Sequence, residues 1–373
     1  MEKKIVGWAT SLPTTFTQAQ LSWNFKTDRI NRINMQIKIL SLIVKNCGAL
    51  KDVKIDFTDN GQPQSIIVLG GANGSGKTTV LELIFSLFYL LSIPPRTQSV
   101  LSPKIEYLLE HTEYAEMELL IDEEKMSIFC SQHPLTHLPV NKTKHGLIRN
   151  KINHARHNEI LSSEYITEQK ITDHIRQYES KLFISESNGY EIIPSILYFP
   201  HRRELLTSEK REQIYREELK YKWCYRYESR SSFQGSLESY LIWLDYAEPE
   251  RFQSVIDFLN QLNFEGKTFH INRKMLSVVV KTRDGSEHAF NQLSSGEQNI
   301  LIMLLELRRR LIPGSIVLLD EIENSLHPAF QHRLAQNLLQ LQRQIPFQLI
   351  LTTHQPVFVK MFGENCTRIL TEF

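Results

Sequence analysis

Three short runs of aliphatic and β-branched residues stand out along the chain, each followed by glycine or polar residues. They occupy positions 65–70, 315–319 and 349–351. Their length and composition predict buried strands. Residues 80–91 carry apolar side chains at helical spacing, which predicts a helix soon after the first strand. Together these patterns indicate an α/β fold with a mixed or parallel sheet and flanking helices.

Other segments give weaker patterns that complete this outline. Further strands are expected at 115–121, 126–130, 195–199 and 277–281. Helical spacing predicts a helix over 299–311 and two more over 239–262 with Pro249 between them. No sustained heptad repeat is visible, which argues against a long coiled-coil arm.

The first strand leads into a glycine-rich segment that fits the pattern G-x-x-x-x-G-K-[ST] from Gly71 to Thr78. A strand, a glycine loop and a helix in this order form a phosphate-binding loop, because the backbone N–H groups and the helix N-terminus attract an anion. We expect Lys77 to reach the β- and γ-phosphates of ATP and Thr78 to hold Mg²⁺. The expected nucleotide-binding residues are Gly71, Asn73, Gly74, Ser75, Gly76, Lys77, Thr78 and Thr79.

The second strand ends in two neighbouring carboxylates, Asp320 and Glu321. Acids at the carboxyl end of a strand face the ligand crevice of an open α/β sheet. We expect Asp320 to hold Mg²⁺ together with Thr78. Glu321 is then placed to orient or deprotonate the water that attacks the γ-phosphate.

Four segments resemble one family. They are the Leu-Ser-Ser-Gly-Glu-Gln run at 293–298, the Glu-Ile-Glu-Asn-Ser-Leu-His-Pro run at 321–328, the strand 349–354 ending in Thr-Thr-His, and the opening strands at 37–50. In these the chain resembles ABC-type ATPases, and more narrowly the RecF/SMC-like and OLD-like AAA ATPases. The resemblance covers roughly residues 35–90 and 290–360.

The resemblance implies a mechanism. Two copies would form a homodimer head to tail around ATP, with Ser294, Ser295, Gly296 and Glu297 of one copy facing the nucleotide of the other. Lys77, Glu321 and His354 would be the catalytic residues, with His354 acting as a switch near the γ-phosphate. The activity would be hydrolysis of ATP to ADP and phosphate, with ATP and Mg²⁺ as ligands.

One family feature lacks a clear counterpart. The turn after the strand 195–199 stands where the family has a glutamine, but it contains Pro200, His201, Arg202 and Arg203. Each arginine either contacts phosphate or pairs with Glu204, and the sequence leaves both open.

We divide the chain into an N-terminal extension at 1–34, an ATPase head formed by 35–130 and 265–373, and a mostly helical insert at 131–264. The extension is a mis-assigned start, a disordered arm or a functional arm. Residues 203–230 interleave charges with aromatic residues, which predicts one or two exposed helices that either pack on other helices or stack on bases.

The insert begins in a stretch without acidic residues, from Lys125 to Asn158, that includes Lys142, Lys144, Arg149 and Lys151. This stretch is either a patch that contacts DNA or RNA phosphates or a solvated loop. The net charge of the whole chain is only +1, so nucleic-acid contact needs such a local patch.

Composition narrows the cellular setting. The four cysteines are widely spaced, which is typical of reduced thiols in the cytoplasm. The longest apolar stretch is too short to span a bilayer, so no membrane partner is expected. The residues after His354 are too few for a TOPRIM nuclease domain.

Our first functional hypothesis is an ATPase of a DNA-maintenance or anti-phage defence complex, with a nuclease or toxin on a separate effector protein. Two alternatives stay open: the ATP-binding subunit of a transporter, and a slow-hydrolysis sensor that regulates a separate effector.

Overall fold

The computed structural model describes residues 36–90, 102–121, 124–132, 144–148, 194–205, 213–217, 222–229, 232–262, 264 and 266–370, with the backbone alone for 124 and 144–148. The expected N-terminal extension and most of the acid-free stretch, including Lys142, Arg149 and Lys151, lie outside these residues. None of the helices in the described part of the chain has the length and hydropathy of a membrane span.

The described strands are β1 (Ile37–Cys47), β2 (Leu50–Asp56), β3 (Thr58–Asp59), β4 (Gln62–Pro63), β5 (Ile66–Gly71), β6 (Thr112–Ile121), β7 (Glu124–Ser131), β8 (Lys144–Ile148), β9 (Ile196–Phe199), β10 (Cys224–Arg226), β11 (Thr268–Asn272), β12 (Ser277–Lys281), β13 (Glu287–Ala289), β14 (Ile316–Leu319), β15 (Gln348–Thr352) and β16 (Thr367–Leu370). The described α-helices are α1 (Lys77–Leu90), α2 (Pro103–Glu110), α3 (Leu237–Ala247), α4 (Pro249–Gln261), α5 (Ser295–Arg310), α6 (Pro328–Gln344) and α7 (Pro356–Phe362).

Six strands form a central sheet in the order β10-β9-β14-β15-β5-β16, and every neighbouring pair is parallel. Every residue of β9, β14 and β15 is buried, as expected for a parallel sheet covered on both faces. Because the strands are parallel, their carboxyl ends lie at one edge. The strand β15 separates β5 from β14, so its end lies between the glycine loop and the acidic pair.

Alternate residues of the central strands face two different cores. Val68, Val317 and Leu351 pack with α3, α4, α5 and α6 on one face. Ile67 and Leu318 pack on the other face with α1 and an antiparallel sheet. Burial of both faces holds the sheet edge in place through the hydrophobic effect.

The second sheet has the order β2-β1-β6-β7-β8 and is antiparallel except between β7 and β8. A fully buried glutamine, Gln348 at the start of β15, ties it to the central sheet. Its amide accepts a hydrogen bond from the Ile39 N–H at 2.7 Å and donates to the carbonyls of Ile39 and Gln64, each at 3.0 Å. These three hydrogen bonds satisfy backbone groups that would otherwise be buried without partners.

The structure confirms the α/β class with a parallel sheet and flanking helices, including the two helices that meet at Pro249 and the strand Ser277–Lys281. It corrects the expectation for 131–264. Residues 196–199 and 224–226 lie in this range but form β9 and β10 of the central sheet. The rest of the domain division stays a prediction.

The expectation of exposed helices at 203–230 is also wrong for the described part of that range. Trp223, Tyr225 and Tyr227 are all buried, and Trp223 stacks on Phe88 with ring centroids 4.8 Å apart. The aromatic residues at 223, 225 and 227 alternate with Cys224 and Arg226, which is the period of a strand and not that of a helix.

Candidate functional site

The glycine loop between β5 and α1 lies in tight contact with two other strands. Gly76 has a φ of +88°, and a Cβ there would lie 2.6 Å from the Leu50 side chain. A Cβ on Gly71 would lie 2.5 Å from the Leu370 carbonyl oxygen. Gly74 also has a positive φ, but a Cβ there would meet nothing within 4 Å. The loop therefore packs on its inner side and leaves its outer side open.

Lys77, the first residue of α1, lies across this loop with only 6% of its surface exposed. Its ammonium group donates hydrogen bonds to the Gly71 carbonyl at 2.9 Å and the Ala72 carbonyl at 2.7 Å. Burial lowers the pKa of Lys77, and the nearby carboxylates of Glu321 and Asp320 oppose that shift. The structure thus places this lysine beside the acidic pair, as a phosphate-binding loop requires.

Asp320, which follows β14, contacts both the start of α1 and the end of β15. Its carboxylate is fully buried and accepts hydrogen bonds from the Thr78 hydroxyl at 3.0 and 3.1 Å and from the Thr352 hydroxyl at 2.8 Å. Burial raises the pKa of Asp320, while both hydroxyl groups and the imidazole of His201 act in the opposite direction. The two predicted Mg²⁺ ligands, Thr78 and Asp320, therefore lie in contact.

This donor set fits Mg²⁺. Hydroxyl and carboxylate oxygens are the hard ligands that the ion prefers, and it usually takes one or two protein ligands together with phosphate oxygens and water. Among the described residues, no group of three or more His, Cys, Asp or Glu side chains could hold a metal ion. One hydroxyl and one carboxylate suit an ion that takes its other ligands from a nucleotide and water.

Glu321 has an unusual backbone. It is a non-glycine residue with a φ of +44°, in the left-handed region. Its N–H donates to the Thr352 hydroxyl at 2.7 Å. The neighbouring Thr352 hydroxyl thus contacts both carboxylate residues, since it also donates to Asp320.

His354 follows β15 with an exposed side chain. Its N–H donates to the Glu323 carboxylate at 2.5 Å, which joins this strand end to the segment after β14. The structure therefore brings His354 to the same edge as Lys77 and Glu321.

The predicted signature residues lie at the start of α5. Ser294 and Ser295 are exposed there, whereas Gly296 and Glu297 are buried. Ser294 and Glu297 form a capping box, in which the Ser294 hydroxyl accepts from the Glu297 N–H and the Glu297 carboxylate accepts from the Ser294 N–H. The Glu297 carboxylate also pairs with Lys267 at 2.7 Å. This carboxylate is thus engaged within its own chain, which the S-x-x-E spacing would have predicted.

Arg203 differs from both alternatives that the sequence left open. It is 3% exposed and donates hydrogen bonds to backbone carbonyls, among them those of Asp320 and Glu321 at 2.9 and 3.0 Å, rather than to Glu204. Arg202 is exposed.

Sequence analysis missed three residues of this site: Arg203 as a structural contact, Asn299 and Thr352. Thr352 gave a usable signal, because it is a polar residue at the end of a buried strand. Asn299 directly follows the run 293–298 in α5, and its side chain contacts Arg203 at 3.3 Å. The sequence pattern gives no sign that Arg203 and Asn299, which lie 96 positions apart, are in contact.

The geometry defines the class of protein. A glycine loop, a lysine, and a buried aspartate bound to the loop threonine form the site of a P-loop ATPase. The sequence model of one protein family, described as "AAA domain, putative AbiEii toxin, Type IV TA system", matches residues 66–360. The chain belongs to this family. This match confirms the AAA ATPase class, and with it the ATPase activity, expected from the sequence.

Curated proteins that are similar to the chain include two from bacterial retrons. The "Retron Vc95 probable ATPase" of Vibrio cholerae serotype O1 biovar El Tor is 24% identical, and the match covers 92% of this chain and 75% of the relative. The "Retron Ec83 probable ATPase" of Escherichia coli is 35% identical, but the match covers only 23% of this chain and 17% of the relative.

Solved structures of SMC head domains also match. The head domain from Thermotoga maritima is 13% identical with a TM-score of 0.36, and the match covers 87% of this chain and 92% of that one. The head domain derived from Pyrococcus furiosus is 15% identical with a TM-score of 0.39 and the same coverage. These scores are too low for the function to be inferred from the similarity.

Proposed function

We propose that the chain is a Mg²⁺-dependent ATPase whose site is completed by a second copy of the chain, and that it supplies the ATPase step of a defence or DNA-maintenance complex. The observation that carries the proposal is the contact between Thr78 and Asp320 beside Lys77. It joins the two halves of the ATPase head, which are far apart in sequence.

The roles follow from the positions of the residues. Backbone N–H groups of the glycine loop and the N-terminus of α1 bind the phosphates. The Lys77 ammonium group neutralises charge on the β- and γ-phosphates. Thr78 and Asp320 would hold Mg²⁺, which supplies further charge neutralisation on the phosphate oxygens when it is bound. Glu321 positions the attacking water and accepts its proton, and His354 contacts the γ-phosphate side of the site.

The second copy contributes its signature residues to the site. Ser294 and Ser295 are exposed at the N-terminus of α5, whose dipole favours an anion. We propose that they face the γ-phosphate bound by the partner's phosphate loop. The buried Gly296 lets the start of α5 pack closely on the segment after Glu321, and Glu297 caps the helix.

The biological setting rests on the relatives. The two relatives described above are each named a retron "probable ATPase". We propose that this chain likewise acts beside a separate effector, a nuclease or a toxin, in a cytoplasmic defence system. Contact with DNA or RNA through the acid-free stretch is a further prediction, which the salt dependence of binding would test.

Two variants test the enzymatic proposal. Lys77→Ala should lose nucleotide binding, because the phosphates lose their buried cation. Glu321→Gln should bind ATP with affinity close to the parent protein but release no phosphate above background. Binding of a fluorescent ATP analogue and phosphate release measure the two properties. Normal turnover by Glu321→Gln would refute the assignment of the base.

A further inference from the structure

The side chain of Arg203 lies at the centre of a buried network. Besides the carbonyls of Asp320 and Glu321, its Nη1 donates to the Pro200 carbonyl at 2.8 Å and, at 3.4 Å, to that of Phe199. Its Nε donates to the Asn299 side chain at 3.3 Å. One guanidinium group thus joins the turn after β9, the end of β14 and the helix α5.

This network holds Glu321 in its left-handed backbone conformation. Such conformations are strained in non-glycine residues and persist only where the surroundings fix them. The N–H of Glu321 is held by Thr352, and its carbonyl oxygen and that of Asp320 are held by Arg203. The backbone on both sides of the Glu321 carboxylate therefore depends on two side chains that do not touch the nucleotide in the proposed mechanism.

Asn299 extends the network to the signature helix. Its side-chain amide accepts from Arg203 and donates to the Asn324 carbonyl at 2.9 Å. Asn324 in turn donates to the His201 carbonyl at 3.2 Å. Movement of α5 would therefore pull on both the Arg203 side chain and the segment that follows Glu321.

We propose that Arg203 is a positioning residue for ATP hydrolysis, which sets the backbone at Glu321 and couples it through Asn299 to the start of α5. The inference rests on the proposed function, since it assigns Glu321 and the signature their roles. It adds a route by which contact of α5 with a second copy changes the position of the general base.

The chemistry of arginine suits this task. A planar guanidinium group can donate in several fixed directions at once, whereas a lysine ammonium group is a compact charge on a flexible stem. Burial lowers the pKa of Arg203 to about 10, with the carboxylates of Asp320 and Glu321 acting against that shift, so the group remains charged at neutral pH. A lysine at this position keeps the charge but cannot span the carbonyls and Asn299 together.

The test compares full-length Arg203→Lys with the parent protein in ATP hydrolysis and ATP binding. We expect kcat to fall by about 100-fold, as is typical when a reacting group is displaced by about 1 Å. The dissociation constant for ATP should stay within about twofold, because Lys77 and the glycine loop are untouched. Arg309→Lys is the matched control. Arg309 lies in α5 and is buried like Arg203, but it pairs with Glu306 and lies outside this network. The kcat of this variant should equal that of the parent protein.

Asn299→Ala provides a second variant in case Arg203→Lys does not fold. It should lower kcat with the same unchanged ATP affinity, and combining it with Arg203→Lys should lower kcat less than the product of the two single effects. Retention of the parent kcat in folded Arg203→Lys, or in Asn299→Ala if the former does not fold, would overturn the inference. Loss of ATP binding in step with kcat would overturn it as well. The proposed function fails separately, if the parent protein has no ATPase activity or Glu321→Gln retains it.

Discussion

At the scale of single residues, the site depends on side chains that meet at the ends of buried strands. Thr352 shows this most clearly, because one hydroxyl group accepts from the Glu321 N–H and donates to the Asp320 carboxylate. A buried carboxylate needs such partners to stay ionised. The position of the acidic pair is therefore set by β15, the strand between β5 and β14.

Gly296 gives a prediction at this scale. It lies in the first turn of α5, where alanine normally favours a helix over glycine by about 1 kcal/mol. Here a Cβ would lie 2.4 Å from the Ser325 carbonyl oxygen, a backbone atom that cannot turn away. We expect Gly296→Ala to lower the free energy of unfolding by about 1–3 kcal/mol, as overpacking does.

Urea denaturation measures this change, and the neighbouring Ser295→Ala is the control. Ser295 is exposed at the start of the same helix, so its replacement should stay within about 0.5 kcal/mol of the parent protein. Equal or greater stability of Gly296→Ala would show that α5 does not pack on the segment around Ser325 in this way.

The candidate site could be predicted from the sequence where its chemistry is local. The phosphate loop and the pair Asp320 and Glu321 follow from spacing and from the strands before them. The contacts of Arg203 with the carbonyl groups of Asp320 and Glu321 could not be predicted, because those two residues lie more than a hundred positions away. Any residue presents a carbonyl group, so such a contact leaves no pattern in the sequence.

At the scale of elements, α1 is fixed to the central sheet by an ion pair. The Glu82 carboxylate accepts two hydrogen bonds from the Arg226 guanidinium group in β10, at 2.5 and 2.7 Å, and one from the Tyr198 hydroxyl in β9 at 3.1 Å. The Lys104 ammonium group lies 3.1 Å from the same carboxylate. The helix that begins with Lys77 is thereby anchored one turn behind the phosphate loop.

This pair predicts a dependence of stability on pH. Burial would raise the pKa of Glu82, but the hydrogen bonds and charges of Arg226 and Lys104 outweigh burial and lower it. The pair therefore contributes stability above the unfolded-state pKa of about 4.3, and this contribution is lost as the pH falls below that value toward the folded-state pKa. Glu82→Gln should destabilise the protein at pH 7 by about 3 kcal/mol, the low end for a broken buried pair.

Denaturation of both proteins from pH 7 to pH 3 measures the effect. The difference in the free energy of unfolding between the parent and Glu82→Gln should be constant from pH 7 to about 6 and shrink below about 4.3. Glu364→Gln removes an equal charge from an exposed position and controls for net charge. A difference that stays constant down to pH 3 would mean that Glu82 is not held by this pair.

The elements themselves were largely predictable. The strands β5, β14 and β15 contain unbroken aliphatic runs, which is typical of buried parallel strands. The strand β10 could not be predicted, because three residues are too few to show the alternation of a strand. The charged residues around it favour a helix instead. The order of the strands was not predictable either, since hydrophobic pattern predicts burial but not which buried strand lies beside which.

At the scale of the whole molecule, the all-parallel sheet explains how residues from both ends of the chain form one site. The carboxyl ends of β5, β14 and β15 converge at one edge, where parallel α/β sheets bind their ligands. The exposed serines at the start of α5 belong to the same head. In the proposed mechanism they serve the nucleotide of another copy, so two heads are required for each complete site.

The assembly state of Glu321→Gln tests this central claim most directly. With ATP and Mg²⁺ this variant should bind nucleotide without consuming it, so the closed assembly should accumulate. Light scattering should then show a doubling of mass on addition of ATP. The double variants Glu321→Gln with Lys77→Ala and Glu321→Gln with Ser294→Arg should show no such increase, since one lacks the nucleotide and the other blocks the contact across it. If Glu321→Gln binds ATP and its mass does not change, the composite site proposed here does not exist.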